Sequence, residues 1–214
     1  MIPYLGALDP LSPAEAGELL AAKTQPHAID CLNWPDRFPT RPEARFAIAR
    51  SSTAFVVHFM VNERDVLARH TEPLSPVAAD SCVEWFVRMP DRSEYYNFEF
   101  NAIGAVNASR RVTRNEPTRL TLGQIKQMQV APSLGTQPFG VREGQIQWSL
   151  TAVIPFSLLE LSPRNLPPHL FGNFYCCAGG KTPPHYLTWR PILSDKPDFH
   201  RPEFFDIITL ATQP

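Results

Sequence analysis

The sequence predicts an all-β fold: a single-domain antiparallel β-sandwich with one short N-terminal helix. Three observations predict it. Twenty-three prolines among 214 residues, about double the usual share of roughly 5%, interrupt helices and leave short segments between rigid turns. About nine runs alternate apolar and polar residues with period two, divided by turn signals at short intervals, the pattern of a sandwich. Hydrophobic residues make up 43% with only ten glycines, enough for a sizeable core in a chain of single-domain length. No internal repeat or linker divides the chain. Residues 1–27 are expected to form a helical extension packed on a sandwich of residues 28–214.

The elements follow in order. Residues 12–15 (SPAE) are a capping box with Pro13 at the first helical position, followed by Leu19, Leu20 and Ala21, so a helix is expected over residues 12–22. Beyond Gln25 and Pro26 the period changes. Residues 45–50 (RFAIAR) and 54–62 (AFVVHFMVN) read as strands around a Ser-Ser-Thr turn. In the second, Phe55, Val57, Phe59 and Val61 share one face and Val56, His58 and Met60 the other, two-sided apolarity that marks a central strand. Residues 82–88 (CVEWFVR) set Val83, Trp85 and Val87 against Glu84, Phe86 and Arg88. Residues 95–101 (YYNFEFN) point Tyr96, Phe98 and Phe100 inward and Tyr95, Asn97, Glu99 and Asn101 outward. The intervening turn, residues 90–93 (PDRS), makes these two an antiparallel hairpin. Residues 104–110 add a third strand, and residues 118–129 are a second helical candidate, weakened by Gly123. Residues 146–154 form a strand with Trp148, Leu150, Ala152 and Ile154 on one face, and Pro155 then opens one helical turn. Residues 171–178, 186–189 and 205–211 complete the set.

Composition excludes several functions. Twenty Lys+Arg against 21 Asp+Glu leave no basic patch to neutralise phosphates, so no nucleic-acid partner is expected. No apolar run approaches the ~18–20 residues that cross a bilayer, so no membrane partner is expected either. The first residues lack the basic and continuous apolar regions of a secretory signal. The expectation is therefore a cytoplasmic protein by default, extracellular or periplasmic if a signal was removed. Cys31 and Cys82 stand alone among apolar residues, and no Cys-x-x-Cys pair exists for zinc or redox work. Cys176 and Cys177 are adjacent in a strand, so they point to opposite faces; all four read as reduced, buried thiols. The six histidines show no ligand spacing, and no nucleophile elbow, His-Glu-x-x-His helix, phosphate loop or EF-hand is written here.

Glu84 and Glu99 draw attention because the hairpin can bring both to one polar face. Paired carboxylates roughly 5–9 Å apart are the apparatus of glycoside hydrolysis. Equally, such a pair accepts hydrogen bonds from sugar hydroxyls, or is simply solvated. Tyr95 and Tyr175, aromatics beside polar side chains, have the character of a sugar platform. A haem would need a Met or His axial ligand, for which His58 and Met60 on a central strand are the candidates.

The stretches 76–86 (PVAADSCVEWF) and 95–104 (YYNFEFNAIG) resemble family 9 carbohydrate-binding modules, and more closely the free-standing bacterial branch called carbohydrate-binding family 9-like. Further matches are residues 30–35 (DCLNWP), 154–156 (IPF), 173–175 (NFY), 186–189 (YLTW) and, most specifically, 197–205 (PDFHRPEFF). The resemblance covers roughly residues 28–210. It implies a sandwich of the DOMON-like superfamily, carbohydrate as the partner, binding without catalysis and, in some members, structural calcium. The xylanase modules of the family clamp a terminal sugar between two tryptophans with the help of a glutamate. Glu84 matches that glutamate; Glu99 falls where those modules carry an arginine and Tyr175 where they carry a glutamine. The first clamp aromatic falls on Ala78, the second near Phe199 and His200. Trp34 and Trp189 match the free-standing branch, with packing and ligand contact both open. The resemblance thus implies Glu84, Glu99, Tyr175, Phe199 and His200 as ligand contacts. Asn101, Asn173 and Trp189, from the matching stretches, join that expected set.

Overall fold

Ser12 starts a three-turn helix as its neighbours dictate. In this computed structural model, which describes residues 1–212, Ser12 caps α1 (Pro13–Lys23): its side chain accepts from Glu15 N, and Glu15 accepts from Ser12 N at 2.9 Å. Gln213 and Pro214, expected at the end of the sandwich, lie outside the described residues. The strands then follow as β1 (His27–Ala28), β2 (Glu43–Arg50), β3 (Ala54–Ala68), β4 (Cys82–Arg88), β5 (Tyr95–Asn101), β6 (Val106–Arg111) and β7 (Pro117–Arg119). After a one-turn helix, α2 (Leu122–Ile125), come β8 (Gln129–Pro132), β9 (Phe139–Pro155), β10 (His169–Cys177), β11 (Tyr186–Thr188) and β12 (Asp206–Thr209).

Two antiparallel sheets face one another, ordered β1-β2-β3-β9-β8 and β11-β10-β4-β5-β6-β7. The short strands β11 and β12 lie end to end along the same partner, β10, pairing with its C-terminal and N-terminal halves. Alternation places the inward residues as the sequence implies. Phe55, Val57, Phe59 and Val61 meet Val83, Trp85 and Val87, with Phe98, Phe100 and Phe174, in one core. Trp85 stacks between Phe98 and Phe174, with ring centroids 6.1 and 5.9 Å away. Burying each such side chain contributes about 1.5–3 kcal/mol.

The other face of β3 is also covered. Ala16 and Leu20 of α1 pack on Ala47, Ala49 and Val56, and Gly17 lets the helix come down on the sheet. A Cβ there would stand 2.2 Å from Thr151 Oγ1 and 2.7 Å from His58 Nδ1. His58, hydrogen-bonded to Thr151 Oγ1 at 2.9 Å, is thus roofed by α1 with no room for a haem above it, which corrects its candidacy as an axial ligand. No helix among the described residues is long and apolar enough to cross a membrane.

Three differences from the sequence pattern have local causes. β3 and β9 run past the expected ends because Glu63, one residue beyond the expected end of β3, is buried beside Lys181 Nζ (2.8 Å) and Trp148 Nε1 (2.9 Å). Its neighbours continue the ladder through a bulge at Asp65, whose φ is 61°. Residues 118–129 hold only one helical turn, because Pro117–Arg119 pair with β6 as β7 and Gln129 already begins β8. Finally, the outward face of β5 is not a solvent face. Residues 192–205 cross it and build a second apolar cluster from Ile192 and Phe205 with Trp34, Phe86, Tyr95 and Tyr175.

Candidate functional site

Strand register writes the site in rows across the outer face of the second sheet. Tyr175 pairs with Glu84, Glu84 with Glu99, and Glu99 with Asn107. One step along, Cys177 pairs with Cys82, and Cys82 with Asn101. Directly opposed residues point to the same side of a sheet, so the two carboxylates stand next to one another with the thiols beside them.

Above this floor lies a cavity of about 360 Å³. Glu84, Glu99 and Cys177 form its base, and Phe199, His200 and Tyr186 its aromatic side. Ala78 and Ala79 meet Gly179 and Gly180 in a further wall, where Gly179 N and Gly180 N donate to Ala78 O (2.9 Å) and Ala79 O (2.8 Å). A Cβ on Gly180 would approach Ala79 O to 2.6 Å, so only glycine permits this contact. Arg114 and Asp198, paired at 2.6 Å, close the rim. Phe199 is held by stacking on Tyr175 (4.3 Å, 16°) and by Tyr175 Oη donating to its carbonyl at 3.2 Å. Tyr186 stands edge-on to Phe199 at 6.2 Å. Tyr95 Oη lies 3.0 Å from His200 Nδ1.

The two carboxylates differ in how they are satisfied. Glu99 accepts from Asn97 Nδ2 at 2.8 Å and Asn107 Nδ2 at 2.9 Å, and Arg111 reaches Asn97 Oδ1 at 2.7 Å. Glu84 has weaker donors, the thiols of Cys177 (3.3 Å) and Cys82 (3.8 Å). Only 2% of Glu84 is exposed against 6% of Glu99. Burial pushes the Glu84 carboxyl well above the usual carboxylate range, and the Glu99 charge adds to it. Glu99 is raised by burial too, against the lowering effect of Asn107, Arg111 and Asn97. His200, desolvated and next to Arg111 and Arg114, is pushed down to about 3 and is neutral near pH 7. The base thus presents two neighbouring carboxyl groups, and the donors that reach Glu84 are thiols.

Of the expected contacts, the structure gathers Glu84, Glu99, Phe199 and His200 around one cavity. Tyr175 is beneath it, fully buried under Phe199. With Tyr95 equally buried, the two tyrosines support the site from below and form no exposed platform, because residues 192–205 lie over them. Asn101 is occupied elsewhere, donating to His70 O and Asp80 Oδ2 (both 2.8 Å) and accepting from Ala105 N. Asn173 is likewise spent on the backbone of Arg190 and Phe174. Trp189 is brought to a different place, packed on Phe46 (5.6 Å) and Phe174 (5.7 Å) with the Arg190 guanidinium over its ring. Trp34 donates to Ser194 O at 2.7 Å and anchors the crossing segment.

Alternation could not find Tyr186, Arg114, Asp198, Gly179 or Gly180, which sit at strand ends or in loops. Gly179-Gly180 was legible as a loop mark directly after a strand, and Tyr186 and Asp198 fall in stretches that match the family. Calcium takes six to eight oxygen ligands. Among the described residues, the group of His, Cys, Asp and Glu side chains that converges within 4.8 Å is Cys82, Glu84 and Cys177, two sulfurs and a carboxylate that do not fit calcium.

Comparison with known proteins agrees with this architecture. The family described as carbohydrate-binding family 9 matches residues 15–210. A candidate carbohydrate-binding protein from Bacteroides uniformis superposes with a TM-score of 0.92 at 29% identity, over 98% of this chain and 97% of its own. A family 9 carbohydrate-binding module from Caldicellulosiruptor kristjanssonii, solved with cellotriose, shares the fold at a TM-score of 0.60 and 10% identity, over 100% of this chain and 93% of that one. No curated protein matches the sequence.

Proposed function

Because the chain belongs to carbohydrate-binding family 9, we propose that it binds a monosaccharide or one end of a short oligosaccharide in the cavity over Glu84, without cleaving it. The observation that carries this reading is the pairing of a base of two carboxyl groups with an aromatic side. Glu84 has only thiol donors, and sugar hydroxyls are the better donors it lacks. Phe199 and Tyr186 offer ring surface to the C–H face of a pyranose. The volume, about 360 Å³, falls at the small end of ligand sites, roughly 300–1,000 Å³.

The carboxylate arrangement favours holding over hydrolysis. Glycosidic cleavage needs one carboxyl on each side of the scissile bond. Glu84 and Glu99 are opposed residues of adjacent strands, so both approach a ligand from the same side. A glycan array, starting from β-linked glucose oligomers such as the cellotriose held by the Caldicellulosiruptor module, identifies the ligand. A crystal soaked with it then tests the site: a sugar hydroxyl is expected within about 3.2 Å of Glu84. Sugar density only outside this cavity would contradict the assignment.

A further inference from the structure

Cys82 and Cys177 are 95 residues apart in sequence, yet register sets them directly opposite on β4 and β10. Glu84, two residues beyond Cys82, shares their face. All three donor atoms lie within 4.8 Å of one another, with Glu84 Oε1 at 3.3 Å from Cys177 Sγ and 3.8 Å from Cys82 Sγ. We infer that this cluster is a binding site for a thiophilic divalent cation, zinc being the natural occupant, with its open coordination position facing the cavity.

The two sulfur–oxygen distances suit neighbouring corners of a tetrahedron. Zinc bonds sulfur at about 2.3 Å and carboxylate oxygen at about 2.0–2.2 Å, which sets tetrahedral sulfur and oxygen ligands about 3.5 Å apart. The two distances here bracket that value, so side-chain adjustments of a few tenths of an ångström close the site on an ion. The strands fix the three Cα positions before any ion arrives, and two thiols with a carboxylate select zinc over calcium or magnesium. Glu99 is not the fourth ligand, since Asn97 and Asn107 already occupy its two oxygens. The fourth position opens upward, where Cys177 and Glu84 line the cavity, and takes water or a ligand oxygen. As each sulfur–metal bond forms, the thiol proton passes to solvent, so binding releases protons and weakens as pH falls.

The inference shares Glu84 with the carbohydrate reading but does not need it: metal titration reads the same whether or not any sugar binds. Reduced, metal-free protein is titrated with cadmium, a spectroscopic substitute for zinc, following thiolate-to-cadmium charge-transfer absorption. One equivalent is expected to saturate the band in the wild type and in Cys31→Ser, and the band is expected to vanish in Cys82→Ser and Cys177→Ser. Saturating zinc is expected to raise the melting temperature of the wild type. Should a serine variant fail to fold, anomalous scattering from a zinc-soaked wild-type crystal decides, with the ion expected between Cys82 Sγ, Cys177 Sγ and Glu84. No band in the wild type, a band that survives both serine variants, or an ion found elsewhere would each overturn the site.

Discussion

Glu84 is a carboxylate hydrogen-bonded by two thiols and set against a second carboxylate, with almost no exposure. Nothing in the fold requires an acid there, and an apolar residue would pack at lower free energy. A ligand entering the cavity would give this carboxyl the partners that the fold does not. The wall where Gly180 meets Ala79 is built to a tight tolerance. Gly180→Ala places a methyl 2.6 Å from Ala79 O, a backbone atom that cannot move without displacing the wall. The variant is expected to lose about 1–3 kcal/mol, as overpacked sites do; a urea midpoint equal to that of the wild type would show that the contact is slack. At this scale the sequence revealed Glu84, Glu99, Phe199 and His200, two through alternation and two through the family pattern. Arg114, Asp198 and Tyr186 escaped because loop and strand-end residues obey no period.

Among elements, the strands were most legible where one face is apolar throughout. β4 and β5 begin and end where alternation says, whereas β1, β7 and β8, with two to four residues each, are too short to show a period. The segment joining β10 to β11 illustrates a link that no local pattern encodes. Lys181 in that loop reaches across to Glu63 of β3 at 2.8 Å and Arg64 O at 2.7 Å, tying the two sheets together. Both side chains are buried, at 6% and 2% exposure. Removing one partner leaves a buried charge, so Lys181→Met is expected to cost about 3–5 kcal/mol, with much of it recovered in the Glu63→Gln/Lys181→Met double variant. Chemical denaturation of the three proteins checks this; a single variant as stable as the wild type would mean that the pair holds nothing.

At the scale of the whole molecule, one sandwich face carries α1 and another carries an irregular strap, residues 192–205, that turns a polar sheet face into a lined cavity. The two sheets were readable from period two; the strap was not, because it lacks periodicity and its partners Tyr95 and Tyr175 look like surface residues until it is laid over them. Global stability should carry a mark of the buried interior. His185, between Cys176 and the Glu63–Lys181 pair, is lowered by burial, and by Lys181, from 6.5 to about 3. Below pH 6.5 the unfolded chain takes up a proton that the folded protein refuses, so this stability is complete above pH 6.5 and declines as pH falls toward 3. The slope for one such group is about 1.4 kcal/mol per pH unit. Glu84 and Glu99, raised by burial, pull the other way. The comparison is therefore wild type against His185→Gln, whose stability is expected to fall less between pH 6.5 and 4.5; equal slopes would mean that His185 titrates freely in the fold. The central claim, that the cavity over Glu84 holds a carbohydrate, is tested most directly by titration calorimetry of the wild type, Glu84→Ala and Phe199→Ala with the sugar that the array identifies. A hydroxyl left without its acceptor costs about 1–3 kcal/mol, so Glu84→Ala is expected to bind about ten- to a hundredfold more weakly, with Phe199→Ala weakened through lost stacking. Unchanged affinity in both variants, or no heat with any mono- or oligosaccharide, would contradict it.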